Sequence, residues 1–211
     1  MRMTVAPVSD RFLQSAGSST VLTGGSESPM SKITTETPVT VRARQILPRS
    51  ASIIEAFLDV TTRDHPGQIV LNIGHDLAAQ HQRQWEAEDL CRAPGSPTEA
   101  VAASKRLIDD LNARRVALVD QIDDWVARRV ESRVGASLHT ETLGSVVDRL
   151  AIAWVRANSL INTIGAHDRA RVALRQLAEL AEAYDDLIRD VGAGRRRLPA
   201  WRPLKNYRST R

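Results

Sequence analysis

The sequence predicts an all-α protein with a four-helix bundle-like core of long antiparallel helices, a disordered N-terminal extension and a basic C-terminal tail. Three observations lead to this prediction. Apolar residues recur at three- and four-residue spacing along four long segments after residue 67. Residues that start or stop helices bound those segments. No strand pattern of any length follows residue 50.

The composition divides the chain into three parts. Residues 1–48 are rich in Ser, Thr, Gly and Pro and lack sustained periodicity, which is typical of disorder. Within them, residues 37–47 are compatible with a short strand or an extended arm, and Met30 is a second candidate start. Residues 49–194 are predicted to form the helical domain. Residues 195–211 form a basic tail, either solvated or folded back on that domain.

The helices are predicted in order from their boundaries. A short helix is expected within residues 50–64, with Ser50 or Ser52 as its N-cap, before Pro66 and Gly67 interrupt the chain. The four long helices are predicted over these ranges: about Gln68 to Arg92, Thr98 to about Val130, Thr140 or Thr142 to about Ile164, and about Asp168 to Val191.

The charge is distributed unevenly along the chain. The formal net charge is +4, but residues 195–211 carry six Arg and one Lys without an acid. Residues 1–49 carry six basic and three acidic side chains, which leaves residues 50–194 with a net charge of −6. Because nucleic-acid binders usually carry their basic residues on the fold itself, this pattern argues against nucleic acid as a partner.

Cysteine content and hydropathy predict the compartment. The single cysteine, Cys91, excludes an internal disulfide and fits a reducing, cytoplasmic location. No apolar run is long enough to span a bilayer, and the N-terminus lacks the apolar stretch of a signal peptide, so we expect no membrane partner. A homodimer is compatible with the sequence.

Polar residues interrupt the apolar stripes of the first three long helices, whereas the fourth helix has a clean stripe that is typical of packing. The interrupting residues are His81, Trp85, Glu88, Asp89 and Arg92 on the first helix, Lys105, Asp109, Asn112 and Arg115 on the second, and Glu141, Ser145 and Asp148 on the third. Buried charges are costly unless paired or used. We therefore expect a salt-bridge network that fixes helix register, or a pocket whose charges meet a ligand.

A pocket of this kind would suit an anionic or hydrogen-bond-rich small molecule. The predicted clamp for a phosphate or carboxylate consists of Arg115, Arg149 and Lys105. The candidate catalytic residues are Glu88, Asp89 and Asp148, which would orient the cations, bind hydroxyls, or act as general acid or base.

Two further features have open interpretations. The turn at residues 140–144 offers backbone N–H groups to an anion, although Thr142 is equally well explained as a plain N-cap. In the tail, Trp201, Lys205 and Tyr207 are candidates for a lid over the site.

Other chemistries find less support. A di-iron centre needs Glu-x-x-His pairs, which are missing. Glu86 and Asp89 form one acidic pair, but cations such as Arg92 would compete with a metal, so we predict no metal site. Cys91 has no helical neighbour that could act as its base, and there is no glycine-rich phosphate loop. No cofactor is expected.

Four motifs contain most of these polar positions. They are WEAEDLCR, KRLIDDLNARR, HTETLGSVVDRLAI and GRRRLPAWRPLKNY. In this order, and over about residues 68–207, they resemble the motifs of the bacterial domain-of-unknown-function 4254 family. The resemblance implies a helical protein without an assigned biochemical role. Many members of the family are found beside glycosyltransferase or cell-surface polysaccharide genes.

The resemblance also implies which positions matter. The family's polar positions fall on Trp85, Glu88, Asp89, Arg92, Lys105, Asp109, Asn112, Arg115, Glu141, Thr142, Gly144, Asp148, Arg149, Lys205 and Tyr207. This chain departs from the family pattern in three places: Leu143 stands where Pro is usual, Glu86 replaces a common His, and LAAQH replaces LHxxN. His81 and His75 are candidate substitutes for the missing histidine.

Two hypotheses follow for the function. The first is an enzyme or ligand-binding protein that acts on a polar, anionic small metabolite through a buried centre of Glu, Asp, Arg and Lys. A sugar, a nucleotide-sugar or a natural-product intermediate would fit. The alternative is a non-catalytic accessory protein that binds a biosynthetic enzyme such as a glycosyltransferase.

Overall fold

A computed structural model describes residues 46–58 and 64–200 of the chain. These residues form an all-α structure, as predicted. The helices are α1 (Ser50–Phe57), α2 (Gln68–Arg92), α3 (Thr98–Arg129), α4 (Leu143–Ile161) and α5 (His167–Gly192). The four long helices agree with the predicted ranges to within about three residues at each end. The predictions for residues 1–45 and 201–211 lie outside the described residues.

The long helices form two hairpins. Residues 93–97 join α2 to α3, and residues 162–166 join α4 to α5; within each hairpin the two helices pack along each other. Helix α4 also packs against α2 and α3, and α1 packs against α2, α4 and α5. Helices α3 and α4 run antiparallel, because Asp123 contacts Gly144 while Arg115 contacts Asp148. Helix α4 therefore contacts every other helix.

Aliphatic side chains supply most of the core. Leu77 on α2, Ile122 on α3 and both Val147 and Leu150 on α4 are 0 % exposed. Each such side chain stabilises the fold by roughly 1.5–3 kcal/mol relative to an exposed one. No helix in the described part of the chain is both long and apolar enough to cross a membrane.

Helix α1 begins differently from the prediction. Its N-cap is Arg49, whose own side chain makes no capping hydrogen bond. Ser50 instead reaches α5, where its N–H and hydroxyl donate to the carboxylate of Asp185 at 2.8 and 3.0 Å. The buried Tyr184 hydroxyl donates to the Pro48 carbonyl at 3.0 Å. The prediction of a serine N-cap was wrong because a distant carboxylate satisfies the start of this helix.

Residues 137–138 and 196–197 form a short parallel pair that the sequence did not predict. In this pair, β1 (Ser137–Leu138) lies beside β2 (Arg196–Arg197). The Ser137 N–H donates to the Arg195 carbonyl at 3.1 Å, and the His139 N–H donates to that of Arg197 at 2.9 Å. Two-residue strands are too short to show an alternating pattern. The pair holds the first residues of the basic tail against the helical domain.

Helices α3 and α4 approach each other closely at Gly144. A Cβ atom at this position would lie 2.5 Å from the backbone oxygen of Val119 and 2.8 Å from Oδ1 of Asp123. The backbone oxygen belongs to α3 and cannot move aside without displacing that helix. The contact therefore requires glycine.

We expect Gly144→Ala to destabilise the protein by about 1–3 kcal/mol, because the added methyl group overpacks the contact between α3 and α4. Gly74→Ala is the matched control, since its Cβ would lie 3.5 Å from Phe57 at an ordinary contact distance. Alanine is favoured over glycine in helices by about 1 kcal/mol, so the control should be neutral or stabilising. Urea unfolding measures both; equal stability of the two variants would contradict the close approach.

Candidate functional site

Asp148 connects three helices through its side chain. It lies on α4 and is only 4 % exposed. His81 on α2 donates from Nε2 to Oδ1 at 2.8 Å. Arg115 on α3 donates from Nε to Oδ1 and Oδ2 at 2.9 and 3.0 Å, and from Nη2 to Oδ2 at 2.7 Å. A planar guanidinium matches a carboxylate in this forked geometry, which makes the pair both directional and strong.

The surroundings of Asp148 keep it ionised. Burial alone would raise the pKa of its carboxyl group, but the hydrogen bonds from His81 and Arg115, together with their charges, hold that pKa below its usual value of 3.8. Because the carboxylate accepts only, His81 must carry a proton on Nε2. Both oxygens of Asp148 are engaged. This geometry favours a positioning role for Asp148 over the acid–base role that the sequence suggested.

Asp148 and Arg149 are neighbours in the chain but face different surroundings. The Arg149 side chain is 61 % exposed and pairs with Glu141, to whose two carboxylate oxygens Nε and Nη2 donate at 2.8 Å each. An exposed pair of this kind contributes about 0–1 kcal/mol. Of the two adjacent charges, only Asp148 belongs to the interior.

A cleft of about 1050 Å³ opens beside the Asp148–Arg115 pair, between α3 and residues 140–148. Its lining includes seven of the predicted polar positions: Asp109, Asn112, Arg115, Glu141, Thr142, Ser145 and Asp148. The other lining residues are Ala113, Val116, Val119, Asp120, Asp123 and Thr140. Except for Lys105, the interrupting polar positions predicted on the second and third long helices therefore meet in one place.

The cleft is acidic. Five carboxylates and one guanidinium line it, and that guanidinium already pairs with one of the carboxylates. An amide and three hydroxyl groups add neutral donors and acceptors, while Val116 and Val119 add apolar surface. Among the described residues, no group of three His, Cys, Asp or Glu side chains has the arrangement to hold a metal ion.

The N-terminus of α4 is already satisfied within the protein. The Gly144 N–H donates to Oδ1 of Asp123 at 2.7 Å, and the Ser145 N–H donates to the Thr142 hydroxyl at 3.2 Å. Thr142 is therefore the N-cap, as one of the two sequence-based interpretations held. A carboxylate also stabilises the positive end of the helix dipole. Among the N–H groups of residues 140–144, which we expected to meet a ligand anion, that of Gly144 meets Asp123 and that of Glu141 donates to Nδ1 of His139 at 3.2 Å.

The structure does not bring the polar residues near the end of α2 into the cleft. The Arg92 side chain is 67 % exposed and donates to Glu88 at 2.6 Å, with Asp89 at 3.7 Å. Trp85 is half-buried on the same helix. Lys105 is exposed on α3, one turn before Asp109. All of these residues lie outside the cleft, and Asp89, Arg92 and Lys105 are exposed.

The remaining predicted positions are distributed as follows. Arg149 lines a shallow groove between α4 and α5. His75 donates from Nδ1 to the Ala56 carbonyl at 3.1 Å, so it ties α1 to α2. Of the two candidate substitutes for the family histidine, His81 is the one that reaches Asp148. Lys205 and Tyr207 lie outside the described residues.

Two acidic residues that line the cleft, Asp120 and Asp123, were not predicted from the sequence. They continue the line of Asp109, Ala113 and Val116 along α3 at three- and four-residue spacing. Following this second line, one position away from the line that contains Arg115, would have found both acids.

We expect Asp148→Asn to destabilise the protein by about 3 kcal/mol, because it leaves His81 and Arg115 facing a neutral amide in the interior. The value lies at the low end for a buried pair, since the Arg115 side chain is 36 % exposed. Glu141→Gln breaks the exposed pair with Arg149 and should cost at most about 1 kcal/mol. Chemical denaturation compares the two, and similar losses would contradict the central role of Asp148.

The lowered pKa of Asp148 also predicts a pH dependence. The stability that this carboxylate contributes is fully present above pH 3.8 and is lost as the pH falls through its lower folded-state pKa. The difference in unfolding free energy between wild type and Asp148→Asn should therefore shrink as the pH falls below 3.8. Denaturation of both proteins across this range measures it. A difference that grows in acid would contradict the prediction.

Comparisons with known proteins place the chain in a family. Neither curated proteins nor solved structures gave a match. A family model described as "Protein of unknown function (DUF4254)" matches residues 74–200. That range contains α3, α4, α5 and most of α2, and therefore both His81 and the whole cleft. Since the match spans more than half of the 211 residues, the chain belongs to the DUF4254 family.

Proposed function

We propose that the protein binds a polar, hydroxyl-rich small metabolite in the cleft between α3 and α4, as an enzyme or as a ligand-binding protein. The observation that carries this proposal is the cleft itself, with its volume of about 1050 Å³ and its polar lining from two separate elements. Small-molecule sites typically have volumes of roughly 300–1,000 Å³ and combine apolar surface with a few polar groups.

The lining chemistry supports a ligand with many hydroxyl groups. Carboxylates such as Asp109 and Asp120 accept hydrogen bonds from hydroxyls, and the Asn112 amide both donates and accepts. Val116 and Val119 supply apolar surface for the C–H face of a ring. A sugar or a sugar-like natural-product intermediate has both kinds of surface.

The residues of the cleft do not support the prediction that the ligand is anionic. That prediction assumed that Lys105, Arg115 and Arg149 bind a phosphate or carboxylate. Arg115 pairs with Asp148, and Arg149 pairs with Glu141. Lys105 does not line the cleft. The cleft therefore supports recognition of the neutral, hydroxyl-bearing part of a metabolite.

In an enzyme, the proton-transfer groups would come from the carboxylates of the cleft. Asp109, Asp120 and Glu141 line it, whereas the predicted catalytic residues Glu88 and Asp89 do not. Asp148 would hold Arg115 in position beside the ligand. In a binding protein, the same carboxylates would only accept hydrogen bonds from the ligand.

The proposal places the protein in cytoplasmic carbohydrate or natural-product metabolism. The single cysteine supports the compartment, and the gene neighbourhoods that the family resemblance implies support the pathway class. The alternative is a non-catalytic accessory protein that binds a glycosyltransferase. In that case, we expect no sugar-containing compound to bind in the cleft.

A thermal-shift screen against sugars, sugar phosphates, nucleotide-sugars, nucleotides and divalent metal ions tests the proposal. We expect stabilisation by at least one sugar-containing compound, because a ligand at 100 times its Kd adds about 2.7 kcal/mol. Asp120→Asn and Asn112→Ala should abolish the shift. Gln176→Ala, in the groove between α4 and α5, is the control and should retain it.

Two outcomes would overturn the proposal. One is the absence of stabilisation by every sugar-containing compound, which would favour the accessory-protein alternative. The other is a shift that survives in Asp120→Asn and Asn112→Ala but disappears in Gln176→Ala, which would place the ligand in the other groove.

A further inference from the structure

A second cavity adjoins the cleft. It has a volume of about 310 Å³, and Asp123 lines both cavities. Four arginines line it: Arg128, Arg129, Arg196 and Arg197. We call it the arginine pocket. Its lining also contains two acids, Asp123 and Glu131, so its formal charge is opposite in sign to that of the cleft.

The fold brings the four arginines together from two distant parts of the chain. Arg128 and Arg129 lie in the last turn of α3, and Arg196 and Arg197 form β2. The hydrogen bonds between β1 and β2 hold that strand in place, and the buried side chains of Leu198 and Pro199 anchor the residues that follow. The pocket is therefore built on ordered backbone on both sides.

The pairing of the arginines differs inside and outside the pocket. Arg195 does not line the pocket, and its guanidinium pairs with Asp190 at 2.6 and 3.0 Å. Arg128, Arg129 and Arg196 form no ion pair with any residue in the described part of the chain. Arg197 donates from Nε to the Ala136 carbonyl at 3.2 Å. The guanidinium groups of the pocket therefore retain donors for a ligand.

A purely structural explanation accounts for half of this set. Basic side chains in the last turn of a helix interact favourably with its dipole, by about 0.3–1 kcal/mol each. That reason applies to Arg128 and Arg129 on α3. It does not apply to Arg196 and Arg197, which lie on a strand. Their convergence on the same cavity points to an anion.

We propose that the arginine pocket binds a phosphate or pyrophosphate group of the metabolite whose hydroxyl-rich part lies in the cleft. Guanidinium groups match phosphate oxygens in a forked geometry. Asp123 stands between the two cavities, where the Gly144 N–H already holds its Oδ1. The ligand class is a sugar phosphate or a nucleoside-diphosphate sugar, an assignment that rests on the proposed function.

Isothermal titration of the full-length protein with pyrophosphate tests the pocket, with potassium chloride matching the ionic strength. We expect measurable binding that weakens about tenfold in Arg129→Gln and in Arg196→Gln, because each loses a charge-assisted contact. Arg106→Gln, at an exposed position on α3 outside the pocket, is the matched control and should bind like wild type. Asn112→Ala should also leave pyrophosphate binding unchanged. Unfolding midpoints of all variants verify that each is folded.

Two results would overturn the proposal. One is the absence of pyrophosphate binding. The other is pyrophosphate binding that Arg129→Gln and Arg196→Gln weaken no more than the control Arg106→Gln. A second arm separates this failure from that of the proposed function. Any neutral sugar that binds should be lost in Asn112→Ala but retained in Arg129→Gln, whereas its phosphorylated form should be weakened by both. If the neutral sugar binds but the pocket variants do not change the affinity for its phosphorylated form, the proposal for the cleft is retained and the proposal for the arginine pocket is rejected.

Discussion

The buried carboxylate of Asp148 aligns three of the five helices in the described part of the chain. An ionised carboxylate that is 4 % exposed needs donors, and α4 alone does not supply them. His81 brings one from α2 and Arg115 brings two from α3. Sliding either helix by one turn would leave a charge in the interior without its partner. The three side chains therefore specify how α2, α3 and α4 are aligned.

This alignment positions the two cavities. Once Arg115 faces Asp148, the antiparallel course of α3 and α4 places Asp123 beside the start of α4, where only a glycine fits. The cleft lies along the same stretch, between residues 109–123 of α3 and residues 140–148. The end of α3 then meets β2, which forms the arginine pocket. The buried ion pair and the cleft are thus parts of one arrangement.

Local patterns predicted the helices well and their environments less well. Periodicity and terminal residues located all four long helices, since both are properties of a short stretch of chain. The same periodicity placed Glu88 and Arg92 on an inner line, yet Arg92 is mostly exposed. The buried residues of α2 end at Ala87, and those of α3 start at Ser104. Residues at three- and four-residue spacing on one helix face become exposed where no neighbouring helix packs against that face. The sequence of a single helix does not show where this packing ends.

Local sequence patterns are sufficient to predict the all-α class, the ranges of the four long helices to within about three residues, Thr142 as a candidate N-cap, and the polar positions that include Asp148, Arg115 and Asn112. Each follows from spacing within one helix or from the chemistry of one turn. The packing of the helices specifies which of these charges pair, that Asp123 occupies the N-terminus of α4, and that Arg129 and Arg196 line one pocket. These contacts join residues between 21 and 67 positions apart. Their geometry depends on how the helices pack, which local periodicity does not specify.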